Sequence, residues 1–214
     1  SEAKKLNHTT MSTDLGQGAL PLPTARFGDT FHVDHNNLTY QSLKNFRFRG
    51  YIRILYMQQN QLELLPEQLF WGLRRLRQLS LAGNKLVNLP TEIFRGMSSL
   101  IELSIEQNVI RLLPNLVFRD LTKLKRLNLG YNKIRRLQKG LFERMKRLEE
   151  VYLDHNELNY VSSDLLLPCS SVLQVFNLQG NRLKSVPVIL LQQLRMNEID
   201  VSDNEIEFDE LIQS

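Results

Sequence analysis

The 214 residues are 42% apolar and 23% charged, enough to bury a substantial core, and no apolar run reaches the length needed to cross a bilayer. A single cysteine, Cys169, excludes any intrachain disulfide, so packing and hydrogen bonds alone must hold what is expected to be one soluble domain. The formal net charge of +4 conceals a segregation of sign along the chain.

The first segment, residues 1–26, opens SEAKKLNHTT and lacks the apolar stretch of a signal peptide. Glycine, proline, serine and threonine amid few large apolar residues predict an irregular lead-in to a domain over residues 27–214. From Phe31 onward a period takes over. Asparagines stand at 36, 60, 84, 108, 132 and 156, each 24 residues from the last, and then at 181 and 204, spaced 25 and 23. The same apolar frame surrounds each, as in Phe31, Val33, Asn36, Leu38, then Leu79, Leu81, Asn84, Leu86, and Leu103, Ile105, Asn108, Ile110.

Each frame predicts a short L-x-L strand. Parallel strands stack about 4.8 Å apart, so eight of them span roughly 34 Å. Where the chain leaves a strand, backbone groups lose their ladder partners, and a buried asparagine can both donate to them and accept from them. Ten residues after each asparagine runs a second column, Phe46, Phe70, Phe94, Phe118 and Phe142, continued by Leu166 and Leu191. These bulky side chains are expected to fill the outer half of the core. Leu-Pro at 65–66, 89–90 and 113–114 keeps the outgoing segment extended. Cys169 takes the slot of Leu73, Met97, Leu121 and Met145 and is read as a small buried hydrophobe.

Segments such as LRQLSLAGNKLVNLPTEIFRGMSS and LKRLNLGYNKIRRLQKGLFERMKR resemble the typical 24-residue class of the leucine-rich-repeat family, over roughly residues 27 to 206. The resemblance implies an α/β repeat fold, a curved solenoid of about eight turns with parallel strands on the concave face and irregular or short helical segments outside. It also implies an extracellular or cell-surface protein, matrix-type or receptor-type, the alternative being a cytoplasmic scaffold or regulatory subunit. Secreted members close their ends with cysteine clusters, which this sequence lacks. Solenoid ends are therefore expected to be covered by other chains, with Phe208, Leu211 and Ile212 forming a short cap or opening a further segment of a longer protein.

Nothing in the pattern assembles a catalytic site. His8 lies in the lead-in segment; His32, Asp34 and His35 cluster on the first strand without the three or four convergent ligands a metal needs. Asp154 and His155 are sequence neighbours that point differently along a strand, and Gly83, Gly130 and Gly180 are not clustered as a phosphate loop requires. The expectation is a binding protein with no enzymatic activity, no cofactor and no metal.

Alternate strand residues point away from the core and build the concave face. Its central column reads His32, Tyr56, Ser80, Ser104, Asn128, Tyr152, Asn177, Asp200, and the next Asp34, Gln58, Ala82, Glu106, Gly130, Asp154, Gln179, Ser202. Tyr56, Gln58, Glu106, Asn128, Tyr131, Tyr152, Asp154 and His155 are the candidate contacts for a protein ligand, the last two joining Tyr131 and Tyr152 in one patch. A second surface follows from charge. Residues 119–147 hold eleven Lys or Arg against Asp120 and Glu143, a net of +9, whereas residues 148–214 carry a net of −9. Arg74, Arg75, Arg77, Lys123, Lys125, Arg126, Lys146 and Arg147 fall before or at strand starts, an edge that suits a polyanion such as a sulfated glycan. Nucleic acid is not expected, because the arginines are not interleaved with aromatic stacking platforms. Sequons at Asn7 and Asn37 are candidate glycosylation sites.

Overall fold

The computed structural model describes residues 29–48, 50–193 and 198–207. Eight three-residue strands form one parallel sheet in sequence order: β1 Thr30–His32, β2 Ile54–Tyr56, β3 Gln78–Ser80, β4 Glu102–Ser104, β5 Arg126–Asn128, β6 Glu150–Tyr152, β7 Val175–Asn177 and β8 Glu198–Asp200. Phe31 pairs with Leu55, Leu79 with Leu103, Leu127 with Val151 and Phe176 with Ile199, so the strand register repeats the spacing of the asparagines. The expected L-x-L strand is observed as x-L-x: the middle apolar residue is internal and its two neighbours face solvent.

The asparagine ladder forms as the sequence requires. Asn84 donates from Nδ2 to the carbonyls of Met57 and Leu81, both at 3.0 Å, and its Oδ1 accepts from the Leu62 amide at 3.2 Å. Each internal asparagine thereby joins two turns through its side chain. Asn60, Asn84, Asn108, Asn132, Asn156 and Asn181 are buried, whereas Asn36 and Asn204 at the two ends are half-buried. One residue ahead of each asparagine the backbone turns left-handed, at His35, Gln59, Gly83, Gln107, Tyr131, His155, Gly180 and Asp203. Only glycine takes this conformation without steric cost, so the six other side chains are held there by the ladder that follows.

On the far side of the core, Phe70, Phe94, Phe118 and Phe142 stack face to face with centroids 6.0 to 6.4 Å apart. The column differs from the sequence expectation at both ends. Phe48 rather than Phe46 continues the stack against Phe70, at 6.0 Å, while Phe46 meets Phe48 edge-on at 4.8 Å and stays partly exposed. A short helix, α1 Tyr40–Leu43, advances only about 1.5 Å per residue, so two more residues pass before the chain reaches the slot. Likewise Leu190 is buried and Leu191 is 41% exposed, because helix α2, Val188–Gln193, starts directly after Pro187 in the 23-residue turn. Leu166 fills its slot as expected.

Cys169 closes a short 3-10 helix, Leu167–Cys169, and is fully buried with its thiol donating to the Leu166 carbonyl. Burial pushes that thiol up to about 11, and the backbone contact opposes the shift only in part. At the sheet ends Phe31, Ile199 and Val201 are only partly buried against the core. The lead-in segment 1–26, the Asn7 sequon and the cap expected from Phe208, Leu211 and Ile212 lie outside the described residues.

Candidate functional site

Twenty-four positions, three from each turn, line the solvent side of the sheet. Two columns are those read from the sequence. The third, Thr30, Ile54, Gln78, Glu102, Arg126, Glu150, Val175 and Glu198, consists of the first residue of each strand. The L-x-L motif marks the outward residues between and after its leucines, whereas the outward residue preceding it carries no repeat signature in the sequence.

Asn128 donates to Glu106 at 2.6 Å and accepts from the Gly130 amide at 3.0 Å, which fixes two of the candidate contacts as a pair. The Tyr131 ring stacks on His155, centroids 4.3 Å apart and planes within 6°. Both residues have left-handed backbones, and at His155 this turns the ring back to within 3.3 Å of the Asp154 carboxylate. The expectation that Asp154 and His155 point apart is thus corrected. On its other side the His155 ring lies where a side chain on Gly180 would have to go, a Cβ there falling 3.1 Å from the ring. Asp154 similarly covers Gly130, whose Cβ would meet its carboxylate at 2.7 Å. The two glycines therefore leave room for ligand-side groups of the preceding and following turns.

Tyr152 does not join that group through its hydroxyl. It donates to Glu150 at 2.8 Å, two residues back along the strand, and Arg126 binds the same carboxylate at 2.8 Å. Burial by itself would raise the Glu150 carboxyl, but the hydrogen bonds from Arg126 and Tyr152 and the charge of Arg126 outweigh it and hold the group below the usual range. Burial and the bond to Glu150 raise the Tyr152 phenol. Tyr56 and Gln58 stand three strands away from Asn128 and Gly130, about 14 Å by strand spacing. Tyr56 sits against the His32 ring at 4.9 Å, and the Gln58 Oε1 is enclosed with no hydrogen-bond donor among the described residues.

The first-strand cluster places His32 3.2 Å and His35 3.9 Å from the Asp34 carboxylate. Among the described residues no three His, Cys, Asp or Glu converge as a metal site.

The basic edge is resolved into two kinds of residue. Lys125 pairs with Glu149 at 2.7 Å, and Arg126 lies on the sheet face bound to Glu150. Arg74, Arg75, Arg77, Lys123, Lys146 and Arg147 are exposed and stand outside the ion pairs formed among the described residues. Asn37 is exposed beside buried Leu38, with Thr39 at the start of α1. Among the described residues no helix is long and apolar enough to cross a membrane.

A leucine rich repeat family profile matches residues 29–86, 75–134 and 113–158, more than half of the chain. No curated protein matches it significantly. Among solved structures, a chain of the TLR13–ssRNA13 complex is 24% identical over 80% of this chain, with a TM-score of 0.70. A chain of the Toll–Spatzle complex, described as a hub in Drosophila development and innate immunity, is 27% identical over 79%, with a TM-score of 0.63. This chain spans 24% and 26% of those two chains.

Proposed function

The chain belongs to the leucine-rich-repeat family, and on that premise we propose that it is a non-enzymatic recognition module. It binds a protein ligand across the open, concave face of its sheet, in an extracellular or cell-surface setting. One observation carries this reading. The apolar frame and the internal asparagines are consumed by architecture, and among the positions outside them the 24 on the sheet face form one contiguous, largely polar surface dotted with tyrosine. Tyrosine contributes large contact area with a polar tip, and Tyr131, stacked on His155, is 49% exposed. The complexes named for the two fold neighbours support ligand binding by related solenoids, and an exposed Asn37 sequon supports the extracellular setting.

The test is a binding partner recovered by cross-linking from the native source, compared between the wild-type chain and Tyr131→Ala/Tyr152→Ala/Asp154→Ala. The variant is expected to keep its far-ultraviolet dichroism and to lose the partner at least tenfold in affinity. Unchanged affinity overturns the sheet-face reading.

The six exposed cations of the flank favour a second reading, capture of a sulfated glycan. It predicts retention on heparin that is lost in Arg74→Gln/Arg75→Gln/Lys146→Gln/Arg147→Gln and a steep dependence on salt. The reading against nucleic acid now rests on the residues alone, because a fold neighbour is described in complex with an RNA. On the sheet face the one guanidinium, Arg126, is already held by Glu150.

A further inference from the structure

The sheet face and the chain as a whole carry opposite charge. At the chain's average composition, 24 positions would hold about three residues of each sign. The face instead carries seven carboxylates, those of residues 34, 102, 106, 150, 154, 198 and 200, against one cation, Arg126. Since Arg126 is sequestered by Glu150 at 2.8 Å, six carboxylates remain on a face of a chain whose net charge is +4. They are also ordered. β4 and β8 each contribute two of the six, at or two residues beyond the strand, β6 contributes Asp154 and β1 Asp34, while β5 and β7 contribute none, so the two pairs lie about 19 Å apart with Asp154 between them.

We propose that this face takes a lysine- and arginine-rich segment of another protein. The inference rests on the reading of the sheet face as a protein-binding surface and adds the chemistry of the ligand. One further observation points the same way. The rings of Tyr56 and Tyr152 are part of the same face, and Tyr131 lies at its margin, aromatic surfaces on which a cation is attracted to the ring quadrupole. An extended segment of about twelve residues, at about 3.1 Å each, spans all eight strands and passes the turns of β1, β4, β6 and β8 that carry the six carboxylates. Charge complementarity of this kind raises the rate of encounter and rejects acidic competitors.

The experiment is selection of a displayed random dodecapeptide library on the folded chain of residues 1–214. Lead peptides are then measured on the wild type, on Glu102→Gln/Glu106→Gln/Asp154→Asn and on Tyr56→Ala/Tyr152→Ala, all with matched dichroism. The expected result is enrichment in Lys and Arg. Affinity of the leads should drop at least tenfold on the charge-neutralised variant and at least tenfold between 0.05 and 0.5 M salt, by screening of about the Debye length. Leads that lack basic residues yet are lost on the tyrosine variant overturn the basic-segment inference and leave the sheet-face reading standing. Leads indifferent to both variants overturn both. Salt-sensitive dimerisation in sedimentation, abolished by the charge-neutralised variant and unaccompanied by basic leads, assigns the face to a second copy of this chain and overturns the inference as well.

Discussion

At the scale of single residues, Asn108 shows how one side chain is committed to architecture. Its amide donates to the carbonyls of Leu81 and Ile105 at 3.0 Å and of Glu106 at 3.1 Å, while its oxygen accepts from the Leu86 amide at 3.0 Å. Asn108→Ala removes none of the apolar packing but orphans buried backbone groups in two turns, each costing about 1–3 kcal/mol. Urea denaturation should therefore report a loss of about 3 kcal/mol or more; a loss under 1 kcal/mol would mean that water replaces the amide. Cys169 gives a second expectation. Its thiol is raised to about 11, and the ordinary thiol titrates near 8.5, so the folded state favours the protonated form. That contribution is complete below the ordinary value and is lost as pH rises toward 11. Stability should fall across that window in the wild type and fall less in Cys169→Ala, and the thiol should resist iodoacetamide at pH 8 until urea unfolds the chain. The asparagines were legible because their period is fixed by the repeat. The left-handed residues before them were not, since Gln107 and Tyr131 carry no composition that announces a positive φ; only Gly83 and Gly180 in the same column hinted at it.

At the scale of elements, the phenylalanine stack separates what a count of residues reveals from what a count of ångströms decides. Phe118 is fully buried between Phe94 and Phe142. Phe118→Ala is expected to cost about 3–5 kcal/mol, and Phe118→Leu, the residue that occupies the equivalent slot at 166, about 1.5 kcal/mol or less. The 24-residue period located these central rings from sequence because every intervening turn has the same rise. It failed at the first turn, where α1 shortens the path and hands the slot to Phe48. Two parallel substitutions separate the slots: Phe48→Ala should cost at least twice as much as Phe46→Ala in the same denaturation, because the latter ring remains partly exposed. Equal costs would mean that the two rings share the slot. The sheet face was legible to a similar extent. Its two later columns followed from alternation, whereas the column of Glu102, Arg126 and Glu150 required the register of the three-residue strands.

At the scale of the whole molecule, the sign segregation becomes a junction between neighbouring turns. Lys125–Glu149, Arg126–Glu150, Arg135–Glu157 and Lys139–Asp164 all join the basic turn of β5 to the acidic turn of β6. Each cation is roughly half or more exposed, so no single pair contributes much in water. Their loss together has a different consequence. The Glu150 carboxyl is held low despite its burial, the Glu157 carboxyl by its bond from Arg135, and the Asp164 carboxyl by Ser162 and Lys139. A lowered carboxyl stabilises the fold above its ordinary value, near 4, and that contribution disappears as pH falls through the lowered one. Below that point residues 119–147 keep eleven cations with their partners discharged, and the repulsion is confined to adjoining turns. Salt should therefore act with opposite sign on the two sides of the transition. At pH 7 it screens attraction and lowers the melting midpoint slightly; at pH 3 it screens repulsion and raises it. Because each turn of a solenoid contacts only its neighbours, amide exchange at pH 3 should rise first around β5 and β6, with β3 protected longer. Thermal scans at both pH values in 0.02 and 0.5 M NaCl test the sign, and exchange by mass spectrometry tests the place. If salt lowers the midpoint at pH 3 as well, the junction is held by packing alone and its charges are incidental.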